Sequence, residues 1–144
     1  MIEQDTVKLL RECDAGINMG ISSIDEVIRF VDAPRFASAL RESRREHDAL
    51  GREVHEELRR FGDEGKNPNP IAKTMSGLMT DVKLTLHESD STIADIMTDG
   101  CNMGVKSLNR YLNEYKAADE RSKDIAKRLI HLEEKMTADM RDYL

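Results

Sequence analysis

A chain of 144 residues can build one continuous core, but 35% charged and 4% aromatic content without Trp does not suit a β-sandwich or barrel. Leu, Glu, Lys, Arg, Ala and Met point to helices instead. A formal net charge of −6 speaks against a general nucleic-acid binder, whose affinity rests on neutralising phosphates, and offers no attraction to anionic membranes.

No apolar run approaches the roughly 20 residues of a spanning helix, and MIEQDTVKLL at the start lacks the positive-then-apolar order of a signal peptide. Cys13 and Cys101 stand alone, without Cys-x-x-Cys spacing. The expected setting is therefore the cytoplasm, with both thiols reduced and packed in the interior.

From about Asp5 to Val31, apolar residues recur at Leu10, Cys13, Ile17, Ile21, Ile24, Ile28 and Val31, the three-and-four spacing of one helical stripe. DAPRF breaks it, with Asp32 as a capping residue and Pro34 in the first turn of the next helix. The second stripe is Phe36, Leu40, His47, Leu50, Val54, Leu58 and Phe61, ending at Gly62. GDEGKNPNP reads as a linker, after which Asn69 and Pro70 open a shorter helix carrying Ile71, Met75, Leu78, Val82 and Leu86. After the punctuation of ESDST, a fourth segment shows Ile93, Met97, Cys101, Val105, Leu108, Leu112 and Tyr115. The last segment shows Ile125, Leu129, Leu132, Met136, Met140 and Tyr143.

Two stretches repeat. INMGISSID (17–25) and CNMGVKSLN (101–109) share Asn, Met, Gly and a following Ser at an offset of 84 residues. The expected architecture is an all-α single domain of two helical hairpins, residues 5–62 and 90–144, joined by a crossover over 63–89 that contains the shorter helix. Each hairpin buries its apolar side against the other, with the first and third long helices antiparallel and a pseudo-twofold relating the units.

VKLLRECDAG, REHDALGREVHEELRRFG, the helix after NPNP and DGCNMGVKSL carry a resemblance. From about Val7 to Leu144 the chain resembles an uncharacterised ferritin-like family of bacterial proteins, DUF2383. That resemblance implies a ferritin-like four-helix bundle and no established reaction.

Ferritin-like bundles place a di-iron or di-manganese centre between the long helices, held by a Glu on each of two helices and a Glu-x-x-His on each of the others. The resemblance puts a ligand histidine at His47, which lies at the centre of its stripe, yet Arg44 stands three residues earlier where a Glu is needed. The inward residues elsewhere are Ile17 or Asn18, Cys101 or Asn102, and the pair Glu133 and Met136. At most His47 and Glu133 remain as ligands, with Cys101 as a soft addition, so no metal or other cofactor is expected. Without metal, His47 is expected to be a buried imidazole bonded to a polar neighbour. His131 lies 84 residues after His47 but points away from its stripe, and His55 and His87 have no ligand-spaced partner.

No glycine-rich phosphate loop or catalytic triad spacing is present, and no catalytic residue is identified. Asn18 and Asn102, with Asp14 and Asp25 flanking the first, form a polar edge that either sets helix register or lines a small-ligand pocket. Gly20 and Gly104 permit close approach of backbones. Met19, Met103 and Ile130 fall off the apolar stripes, which suits contact with a second copy of the chain. The functional expectation is a structural or interaction protein forming homo-oligomers. The alternatives are a metal-binding or oxidative-stress protein with a rearranged site around His47, and small-ligand binding at the Asn18/Asn102 edge.

Overall fold

The computed structural model describes residues 2–63 and 89–144. These are all-helical, with no strand among them. Helix α1 spans Ile2–Val27 and continues as a short 3-10 turn, Ile28–Phe30. Helix α2 spans Pro34–Arg60, α3 spans Asp90–Glu114, and α4 spans Glu120–Met140 before a final 3-10 turn, Arg141–Tyr143. No helix among the described residues is long and apolar enough to cross a membrane. The predicted shorter helix over Ile71–Leu86, and His87 with it, lie outside the described residues.

Local chemistry sets the helix ends. Ser89 accepts from the Thr92 N–H at 3.2 Å to open α3, and Asp119 accepts from the Ser122 N–H at 2.8 Å to open α4. Gly62 takes φ of 70° just beyond α2, a left-handed conformation that glycine adopts without steric cost. The first helix is shorter than its stripe suggested, because the chain tightens into the 3-10 turn after Val27.

Asp32 does not cap α2. The N-cap position falls to Ala33, which has no side chain able to accept. Asp90 of the other hairpin serves instead: its carboxylate accepts the N–H of Asp32 at 2.8 Å and of Ala33 at 2.9 Å. A matching latch closes the other end, where the N–H of Asp119 donates to Thr6 Oγ1 at 2.8 Å and that of Ala117 to Asp5 Oδ2 at 3.0 Å. Each hairpin therefore ties down the connection of the other.

These latches fix the helix directions. The start of α3 lies beside the end of α1, and the start of α1 lies beside the end of α3, so the two run antiparallel. Ion pairs Glu46–Lys135, Glu53–Arg128 and Glu57–Arg121 step in opposite senses along α2 and α4, which are antiparallel too. Asp90 thus lies at the N-terminal end of α2, while Arg60 ends that helix 27 residues on, about 40 Å away at 1.5 Å per residue.

The core divides into two apolar clusters. Leu9, Leu10, Cys13, Ile17, Val54, Leu58, Ile125 and Leu129 fill one half. Ile24, Val27, Phe36, Leu40, Ile93, Met97, Cys101, Met136 and Met140 fill the other, where Phe36 stacks on Tyr143 at 4.7 Å. Ile130, expected off the apolar face, is buried at 8% exposure. Helix α4 packs against α1, α2 and α3, so its covered arc is wider than a single stripe.

Replacing Asp90 with Ala is expected to cost about 1–3 kcal/mol, because two hydrogen bonds to a charged group are lost together. Asp90→Asn, which keeps one acceptor, should retain part of that; urea denaturation midpoints of the three proteins check the order.

Candidate functional site

Between the two clusters lies one polar layer, formed by Gly20 on α1, His47 on α2, Gly104 on α3 and Glu133 on α4. His47 is fully buried, with 0% exposure. Its Nδ1–H donates to the Ser43 carbonyl oxygen at 2.7 Å, with Ser43 Oγ at 3.3 Å from the same nitrogen. A carbonyl can only accept, so that bond places a proton on Nδ1. Nε2 lies 3.0 Å from Glu133 Oε1, and this bond needs a second proton, shared between imidazole and carboxylate.

Burial alone would pull the His47 pKa down. The hydrogen bond and charge of Glu133, the Ser43 carbonyl and the charge of Glu46 outweigh it and hold the imidazole above the ordinary histidine range. Glu133 is the member of the pair with some access to water, at 12% side-chain exposure.

The repeated glycines make room for this pair. A Cβ on Gly20 would stand 2.8 Å from His47 Nε2 and 2.9 Å from Cδ2. A Cβ on Gly104 would meet Glu133 at 3.6 Å or beyond. What each glycine admits is a polar side chain, rather than the close backbone approach expected from sequence.

The sequence offset changes along the way. Gly20 and Gly104 are 84 residues apart, like Thr6 and Asp90, but the N-cap residues Ala33 and Asp119 are 86 apart, as are His47 and Glu133. The connection of the second hairpin is two residues longer. The counterpart of His47 is therefore Glu133 and not His131, whose side chain is 79% exposed. As counterparts that touch one another, His47 and Glu133 lie where a twofold relating the hairpins would pass.

The three residues named as conceivable metal ligands, His47, Glu133 and Cys101, are brought to this layer. Cys101 is buried beside Met136, with Sγ 4.0 Å from Sδ. Burial first, and then the charge and hydrogen bonding of Glu133, push its thiol pKa well up. Cys13, in the other cluster, is pushed up to about 12 by burial and then by the charges of Glu12 and Asp14. Both thiols are free and protonated at neutral pH, and so poor nucleophiles. Among the described residues, no three His, Cys, Asp or Glu side chains are grouped to hold a metal ion.

The other expected site residues divide between environments. Asp14 is buried and bonds His55 Nε2 through Oδ1 at 2.7 Å. Asp25 pairs with Arg44 at 2.7 Å, which carries the guanidinium to the exposed side of α2. Both aspartates thus turn toward α2. Asn18 is half-buried and Asn102 exposed. Met103 is exposed at 69%, whereas Met19 is half-buried. A groove of about 360 Å³ on the α2–α4 face is lined by residues including Leu50, Leu132, Glu53, Arg128, Glu46 and Lys135.

Sequence reasoning missed the Asp14–His55 pair, whose members are 41 apart in sequence, and the matching of His47 with Glu133. A signal for the second existed: Met136 and Met140 follow Leu50 and Val54 by 86 residues, and the offset of 84 matches no residues between these two stripes. Comparison with family models, curated proteins and solved structures found no match.

Proposed function

We propose that the chain is a ferritin-like four-helix bundle, two hairpins joined by a long crossover, that lacks a complete di-metal centre and works as a structural or interaction protein in homo-oligomers. The carrying observation is the central polar layer. Where a di-metal centre needs four carboxylates and two imidazoles, the layer holds the Glu133 carboxylate bonded to the His47 imidazole and flanked by Gly20 and Gly104. Two other buried acids are committed elsewhere, Asp14 to His55 and Glu57 to Arg60 and Arg121. The two free thiols suit a reducing cytoplasm.

In this reading two copies meet through α1 and α3, at half-buried Met19 and exposed Met103. Sedimentation velocity over a broad concentration range tests this: a dimer should form and should weaken with Met103→Glu. A monomer at every concentration overturns it.

The second reading, a rearranged metal site around His47, has in its favour the bond that joins the two nearest conceivable ligands, His47 of α2 and Glu133 of α4; a third ligand is not grouped with them among the described residues. Small-ligand binding at the Asn18/Asn102 edge draws less support, since Asp14 and Asp25 are occupied by partners on α2.

A further inference from the structure

We propose that two copies of this chain swap hairpins, so that residues 2–63 of one copy form a bundle with residues 89–144 of the other. The proposal rests on the homo-oligomer reading and adds what each copy contributes to its partner.

The first hairpin is held together by contacts of its own. Asp14 bonds His55, Asp25 pairs with Arg44, and Arg11 pairs with Asp63 just beyond α2. In the second, α3 packs along α4. A separate set of contacts joins one hairpin to the other. It comprises the two latches, the His47–Glu133 bond and the ion pairs Glu46–Lys135, Glu53–Arg128 and Glu57–Arg121. The surface that the first hairpin fits is therefore the second hairpin, and another copy of the chain presents the same surface. In the swapped dimer His47 of each copy bonds Glu133 of the partner subunit, and no contact between hairpins is lost.

What differs is the covalent connection. Residues 64–88, 25 in all, join the hairpins. Within one bundle they leave the end of α2 and arrive at Ser89 beside its start, about 40 Å away. Two bundles related by a twofold perpendicular to their axes lie antiparallel. The end of α2 in one then stands beside the start of α3 in the other, and the span falls to about 20 Å, the width of two helices. Both spans are within reach, since 25 extended residues cover at most about 80–90 Å. The shorter one leaves a connection of fixed length more conformations. Such a twofold swap also closes at two copies. Opposing it is the entropy of bringing two chains together, which concentration offsets as it approaches the effective concentration of a tether, on the order of 1 mM.

The experiment uses wild-type protein as an equal mixture of light and heavy-isotope chains, unfolded together in urea, refolded at about 1 mM and separated by size. The dimer fraction is treated with a carbodiimide, which condenses a carboxylate with a lysine amine that touches it. Glu46 Oε1 and Lys135 Nζ, on opposite hairpins, are 3.2 Å apart. Peptide mass spectrometry should find the Glu46–Lys135 cross-link with one light and one heavy member as often as with two alike. Lys135→Arg, which keeps the charge without the amine, should remove that cross-link and leave the dimer in place. The proposal is overturned if the dimer yields cross-links of a single isotope only. The copies then meet as closed bundles, and the homo-oligomer reading survives. If no dimer is recovered, that reading falls and the swap with it.

Discussion

Gly20→Ala should destabilise the protein by about 1–3 kcal/mol, the usual cost of an overpacked core, while Gly104→Ala should stabilise it by about 0.4–1 kcal/mol. The same substitution at the two copies of one repeat thus takes opposite signs. Both glycines sit inside helices, where alanine is the better residue by roughly 1 kcal/mol. At Gly104 that gain is realised, because the new methyl meets Glu133 at ordinary contact distance, 3.6 Å at the nearest. At Gly20 it is overwhelmed. The methyl would stand 2.8 Å from His47 Nε2, and the ring cannot swing aside without losing its bonds to Ser43 and Glu133. Thermal or urea denaturation of the two single variants measures the contrast; equal effects at the two sites would show that His47 does not need the space left by Gly20.

The second large effect comes from the pair itself. His47→Ala should cost about 3–5 kcal/mol, as breaking a buried ion pair does, because the change opens a cavity and strips Glu133 of its partner. Glu133→Gln is milder, about 1–3 kcal/mol, but it changes the response to pH. The folded state holds the His47 proton more tightly than the unfolded chain, whose histidine has a pKa of about 6.5. The pair's contribution is therefore complete below about pH 6.5 and is lost as pH rises through the higher folded value. The urea midpoint of the wild type should fall across that alkaline-going window. In Glu133→Gln, which lacks the charge that raises the pKa, the fall should be smaller and begin at lower pH.

Much of the helical content was legible because its cause is local. Stripes at three-and-four spacing placed the long helices, and the 84-residue repeat indicated two hairpins. The centre of the bundle was less legible, because pairing between helices depends on the length of the connection as well as on the repeat. The two extra residues before α4 turned His131 outward and brought Glu133 to His47. Ile130 was misread for a related reason: a stripe assumes one covered side, and α4 has neighbours on three. Asp32 illustrates the remaining limit. A good capping residue stood at the right place, but Asp90, 58 positions away, took over the function.

That pairing has a further consequence for how unlike the halves must be. A hairpin docked on an identical copy of itself would oppose His47 to another His47, or Glu133 to another Glu133, and like charges buried face to face repel. The halves match only as unlike partners.

The reciprocal latches bear on motion. The N–H groups of Asp32, Ala33, Ala117 and Asp119 belong to connections between helices, where amide hydrogens ordinarily exchange with solvent fastest. Here each is held by a residue of the opposite hairpin. Their exchange with deuterium is therefore governed by the parting of the hairpins, and the two connections, at opposite ends of the molecule, report separately on which end opens first.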